Sequence, residues 1–251
     1  MNETFLTGRT ALVTGATRGI GFAIAQMLAD AGASVAICGR SEAGVADAVR
    51  RLTQPWTPQA GSADSKAAGR KVVGKAADVR GSTDVEALFA WVASELGGPD
   101  ILVNNAGVGI MKSTAQLTVE DWRQTIDTNL SGAFYCSRAA LAGMKQRGGG
   151  YIINIGSLAG KNAFAGGAAY NASKFGMLGF SEAMMMDHRY DNVRVTHIMP
   201  GSVDTDFGGG TTKADWKIAP QDIGEIVLML LRMPERTLVS QLEVRPAKPR
   251  K

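Results

Sequence analysis

Short apolar runs alternate with longer amphipathic stretches almost to the end of this 251-residue chain, and that rhythm admits few folds. A strand, a helical crossover and a second strand of the same sheet run parallel. Parallel strands are covered on both faces, so they read as continuous Val, Ile, Leu and Ala runs rather than as an alternation. Strands are predicted at Thr10–Thr14, Ser34–Cys38, Lys71–Ala76, Ile101–Asn104, Tyr151–Ile155, Val193–Met199 and Gln241–Val244. Helices are predicted over Gly19–Ala31, Ala43–Leu52, Thr83–Leu96, Val119–Arg147, Tyr170–Arg189 and Gln221–Met233. No composition break or internal repeat divides the chain, so residues 1–251 are expected to form a single α/β domain. Its sheet would be doubly wound, mostly parallel and seven-stranded, with helices on both faces.

Two stretches fall outside the rhythm. Thr53–Arg70 is polar, holds Pro55, Pro58 and Gly61, and reads as a peripheral insertion or a mobile connection, with Trp56 a local anchor. Ser202–Lys217 is rich in Gly and Thr and follows a strand directly, which marks it as a substrate loop at the ligand-binding edge. The net charge of +4 comes from Arg245, Lys248, Arg250 and Lys251, a basic tail over 245–251 expected to be disordered. With that tail set aside the charges balance, which argues against a nucleic-acid partner. No uninterrupted apolar stretch approaches membrane-spanning length and no leader-like segment precedes Thr10, so the chain reads as cytoplasmic with no membrane partner. Cys38 and Cys136 have no CxxC partner, and His188 and His197 lie far apart, so no metal site is expected.

The first strand runs into Gly15-Ala16-Thr17-Arg18-Gly19-Ile20-Gly21 and then into an amphipathic helix. Glycines let the backbone turn sharply and approach a pyrophosphate, and the helix N-terminus offers it N–H groups and a positive dipole end. Strand before and helix after make this a dinucleotide site of the Rossmann type. An NAD site wants an acid at the end of the next strand, to bond the ribose 2′-hydroxyl. This chain has Gly39-Arg40-Ser41 there. Nothing at position 39 repels a 2′-phosphate, and Arg40 and Arg18 can fork onto it, so the expected cofactor is NADP(H) rather than NAD.

On the helix of AAYNASKFG, Tyr170 and Lys174 stand at i and i+4 and share a face. A neighbouring ammonium would lower the phenol pKa by stabilising the phenolate. Ser157 closes the strand YIINIGS, and Asn104-Asn105-Ala106-Gly107 ends the strand before it, with small residues that let a cofactor pass close to backbone.

Together these motifs resemble the classical short-chain dehydrogenase/reductase family over nearly the whole length, from TGATRGIG through Asp78, NNAG, Asn129, Ser157, YNASK and PGSVDT. The resemblance implies Tyr170 as general acid/base, Lys174 as its pKa-lowering partner and nicotinamide-ribose ligand, and Ser157 as the holder of the substrate oxygen. It also implies that Asn129 anchors a water in a proton relay and that Asn104 braces the central strands. Cofactor contacts are implied at Gly15, Thr17, Arg18, Gly19, Ile20 and Gly21, and at Arg40, Asp78 and Val79, with Asp78 facing the adenine. Further along, Asn105, Ala106, Gly107, Tyr170, Lys174, Pro200, Gly201, Val203 and Thr205 are implied, the last meeting the carboxamide.

The activity implied is reduction of a ketone or 3-oxo group to a secondary alcohol, or the reverse, with 3-oxoacyl-carrier-protein reductases as the commonest subtype. A carrier-protein substrate favours basic helix faces near the mouth, whereas Tyr135, Arg138, Met186 and Asp187 make a mixed surface. A small free ketone or aldehyde therefore remains in play. The competing class is a catalytically silent NADP-binding regulator or scaffold, which has no chemical need for Asn129, Ser157, Tyr170 and Lys174 together. Phe164, Phe207 and Trp216 are candidates for an apolar substrate wall, and Met184–Met186 for packing in the core or between subunits. The resemblance implies a homodimer or homotetramer.

Overall fold

The computed structural model describes residues 4–54, 70–207 and 214–249. Most of the 53–70 stretch with Trp56, positions 208–213 of the substrate loop, and Arg250 and Lys251 lie outside the described residues. The strands are β1 (Thr10–Thr14), β2 (Ser34–Gly39), β3 (Val72–Ala76), β4 (Ile101–Asn104), β5 (Gly150–Ile155), β6 (Val193–Pro200) and β7 (Gln241–Val244). They form one seven-stranded sheet in the order β3-β2-β1-β4-β5-β6-β7, with every neighbouring pair parallel. The order reverses between β1 and β4, which opens a crevice beyond their carboxyl ends.

The helices are α1 (Gly19–Asp30), α2 (Glu42–Thr53), α3 (Ser82–Leu96), α4 (Val119–Ile126), α5 (Gly132–Gln146), α6 (Ala168–His188) and α7 (Pro220–Arg232). Successive strand residues point to opposite faces and each face has its own core. Ala11, Val13, Val35, Ile37 and Val103 pack with Ile24 of α1, Val45 of α2 and Val227 of α7. Leu12, Ala36, Cys38 and Leu102 pack with Leu88 of α3, Cys136 of α5 and Met184 of α6. Both cysteines are free and buried, and burial pushes the Cys38 thiol up to about 12, so it behaves as a small hydrophobe. Met186 is exposed while Met184 is buried.

One expectation needs correction. The single helix predicted over Val119–Arg147 is divided: a π-helical turn, Asp127–Ser131, separates α4 from α5. Its centre is Asn129, whose side chain bonds both backbone groups of Val108 and the Ser173 hydroxyl. Those buried hydrogen bonds offset the cost of the wider turn, a device frequent at functional sites. The basic tail is described as far as Pro249. Arg245 pairs with Glu243 at 2.8 Å and Pro246 lies where a side chain on Gly201 would have to go.

Candidate active site

The glycine turn leaves β1 and meets the loop after β4 at backbone contact. Gly15 adopts φ +62°, and a Cβ there would lie 2.7 Å from the Ala106 Cα. A Cβ on Gly21 would lie 2.3 Å from the Asn105 amide nitrogen, which donates to the carbonyls of Thr14 and Gly15 at 3.0 Å each. The Thr14 hydroxyl accepts from the backbone N–H groups of Asn105 and Ala106 at 3.0 and 3.1 Å. Thr14, which the motif reading passed over as a strand residue, thus ties the two ligand-facing loops together. Gly107 continues toward the π turn, its Cβ position 3.4 Å from the Asn129 side-chain oxygen Oδ1.

These loops present donors suited to a dinucleotide. The first turn of α1 has no acidic residue and its N-cap, Arg18, makes no side-chain cap, so its anion-attracting end is free of competing carboxylates. Across the turn the Thr205 methyl lies 3.4 Å from the Cβ position of Gly19, so the loop after Pro200 and Gly201 closes over the same spot. Val203 holds that loop by bridging to Ile218. Arg40, at the end of β2, is exposed like Arg18, and its charge reaches Asp78. Asp78 itself is forked by Arg80, whose hydrogen bonds hold the carboxyl below its ordinary pKa. Next to it Val79 is buried against the Cβ position of Gly132, beneath the start of α5, while Ile20 packs on the first core. The expected cofactor residues therefore gather along one edge of the sheet, and the set fits a dinucleotide carrying an extra phosphate.

Opposite the nicotinamide end of such a ligand stand Ser157, Tyr170 and Lys174. Ser157 follows β5 and caps the short 3-10 turn Leu158–Gly160, accepting from the Ala159 N–H at 3.1 Å. Tyr170 and Lys174 sit on one face of α6, both buried, with the Lys174 Nζ 5.7 Å from the phenol ring centroid. The ammonium donates to the Ile155 carbonyl at 3.0 Å, and burial brings its pKa down to about 8. Burial also raises the Tyr170 pKa, opposed by its hydrogen bond with Ser157. Asn129 spends both amide hydrogens, on Val108 and Ser173, at 2.9 and 3.0 Å, so its side chain clamps backbone and helix and offers no donor to a water.

Asn104 donates to Asn154 at 2.8 Å and to Ser137 at 2.9 Å, joining β4 to β5 and α5 as a brace should. His197 bonds Ser181 and His188 bonds Asp191, so both histidines have structural partners. Of the three candidate wall residues, Phe207 reaches Tyr170, its ring centroid 5.9 Å from that of the phenol. Its edge fills the Cβ position of Gly109 together with the Met111 methyl, while Phe164 packs over Gly167 at the start of α6.

The geometry has counterparts among known proteins. The short chain dehydrogenase family profile matches residues 9–216. An uncharacterized oxidoreductase of Staphylococcus aureus is 34% identical over 97% of this chain and 99% of its own length. A putative ketoacyl reductase of Streptomyces coelicolor is 38% identical over 78% of this chain and 70% of its own. Among solved structures, an alcohol dehydrogenase of the archaeon Thermococcus sibiricus, complexed with 5-hydroxy-NADP, superposes with a TM-score of 0.85 at 29% identity, over 97% of this chain and 98% of its own. A metagenomic short-chain oxidoreductase in complex with NADP gives 0.81 at 33% identity, over 97% and 99%. With its sheet order, its glycine turn and its Ser157–Tyr170–Lys174 cluster accounted for, this chain belongs to the short-chain dehydrogenase family of oxidoreductases.

Proposed function

We propose that the protein reduces a small ketone or aldehyde to the alcohol with NADPH, or runs the reverse oxidation with NADP. The observation that carries this is the buried Tyr170 phenol, beside Ser157 and one helical turn from the Lys174 ammonium. NADP-bound structural neighbours and the ketoacyl reductase relative support the cofactor and the carbonyl chemistry. Bound NADPH supplies the hydride. The protein's part is acid catalysis and orientation. With its pKa raised, Tyr170 is fully protonated at neutral pH and gives its proton to the oxygen that becomes the alkoxide. Ser157 donates to the same oxygen and so stabilises the charge that develops there. Lys174 holds the cofactor ribose and, by its charge, steadies the phenolate left behind. Phe207 and Met111 give the mouth an apolar lining. The exposed Phe134 of α5 and Phe175 of α6 offer an apolar face for homo-oligomer formation, which light scattering reads directly.

The test is Tyr170→Phe, which removes the proton and keeps the ring against Phe207. Turnover with NADPH and a panel of ketones, diketones and 3-oxoacyl thioesters should fall by roughly 10²–10⁴. Near-normal turnover would remove Tyr170 from the chemistry.

A further inference from the structure

Arg51 lies in the last turn of α2, outside every motif of the family, yet three elements hold it. Its Nη2 donates to the Thr17 carbonyl at 2.8 Å, its Nε meets the Asp47 carboxylate at 2.9 Å, and its guanidinium lies 4.2 Å from the Phe22 ring centroid. An arginine whose side chain is 42% exposed would ordinarily sample many rotamers, and here it is pinned in one. Thr17 also lies beside Gly39. Its methyl lies 2.6 Å from the Cβ position of Gly39, filling the space that a side chain at the end of β2 would take.

The consequence follows from peptide geometry. Carbonyl and N–H of a trans peptide point in opposite directions. With the Thr17 carbonyl drawn toward α2, the N–H of Arg18 is turned away from α2, and the Arg18 side chain leaves the backbone at a set angle. We infer that Arg51 is a positioning residue for NADP(H) selectivity: it fixes the Thr17–Arg18 peptide so that Arg18 meets the ribose 2′-phosphate. The inference rests on the NADP reading above. A planar fork suits the task, since it bonds carbonyl and carboxylate at once while stacking on Phe22, which a lysine cannot do.

The experiment is calorimetric titration of the full chain, without catalysis, using 2′,5′-ADP and 5′-AMP. Wild type should bind 2′,5′-ADP more tightly; equal affinities would defeat the NADP reading itself. Arg51→Met keeps a long stem on Phe22 and removes the donors. The ratio of the two affinities should shrink by about five- to tenfold, chiefly through weaker 2′,5′-ADP binding. A lower Tm with an unchanged ratio would make Arg51 merely structural and overturn the inference. Should Arg51→Met not fold, Asp47→Ala frees the Nε and should reduce the ratio in the same direction by a smaller factor. An unchanged ratio in that variant counts against the inference equally.

Discussion

Raising the pH should detach the cofactor by a single proton, the one on Lys174. Burial brings this ammonium to about 8, and one of its hydrogens is already committed to the Ile155 carbonyl. The charged form keeps two more donors for the nicotinamide ribose; the neutral amine keeps one and loses its charge. The sign is fixed by the base: affinity is full below the pKa and declines as pH rises through it. With the proton required for binding, the apparent Kd for NADPH grows as one plus the ratio of neutral to charged lysine. That gives about a tenfold weakening between pH ~7 and pH ~9, or ~1.4 kcal/mol. Neighbouring groups do not share the window. Burial moves Tyr170 above its ordinary value of 10.0 and Cys38 to about 12, and a phosphate monoester has completed its second ionisation, near ~6, before the window opens. Fluorescence titration of NADPH without a carbonyl substrate reads the Kd across this range. Lys174→Met should bind weakly and show no dependence over the same interval. A wild-type profile flat to pH ~9, or a midpoint near the ordinary lysine value, would refute the reasoning.

Three further outcomes follow from contacts away from the chemistry. Gly15→Ala places a Cβ 2.7 Å from the Ala106 backbone at φ +62°, so it should cost about 2–4 kcal/mol and lower Tm by roughly 5–15 °C in calorimetry. His197, buried with its pKa held from 6.5 down to about 3, refuses a proton that the unfolded chain accepts. Its contribution makes stability fall as pH drops from 6.5 toward 3, by about 2 kcal/mol between pH ~7 and pH ~5, and urea midpoints of His197→Gln should lack that share. Replacing Gly39 by Asp and Arg40 by Ser should shift preference toward NADH only weakly, because the new Cβ meets the Thr17 methyl at 2.6 Å; adding Thr17→Ser should raise kcat/KM for NADH several-fold.

The strands were legible to within a residue at each end because each is an apolar run bounded by turn residues. Val35 to Cys38 is buried on both faces, and that condition writes itself into composition. The glycine turn and the Tyr170–Lys174 pair were legible because their chemistry demands particular residues at particular spacings. What escaped was contact between segments distant in the chain. The π turn at Asp127–Ser131 adds one residue to a turn, a change too small for a helical period to register, and its cause, Val108, lies 21 positions before Asn129. Arg51 reaches Thr17 across 34 positions and Thr14 reaches the Asn105 N–H across 91. Sequence spacing shows that Lys174 is near, but only packing shows how far burial disfavours the phenolate.

The same polar contacts explain how α6 is aimed. Apolar packing tolerates rotation of a helix about its axis by some degrees, whereas buried hydrogen bonds fail steeply when misaligned. Two serines eight residues apart, thus about two turns and on one side of α6, supply such bonds. Ser173 accepts from Asn129 of the π turn at 3.0 Å, and Ser181 accepts from Asn154 of β5 at 2.8 Å. Asn154 is tied in turn to Asn104 of β4, so the helix is referenced to the two strands whose ends carry the ligand-facing loops. Tyr170 lies one turn before the first pin and Lys174 beside it, so neither can swing without breaking a bond in a low-dielectric interior. The π turn then has a mechanical reason to exist. A regular helix through Asp127–Ser131 would carry Asn129 away from both Val108 and Ser173, releasing the loop after Gly107 and the Tyr170 turn of α6 in a single step.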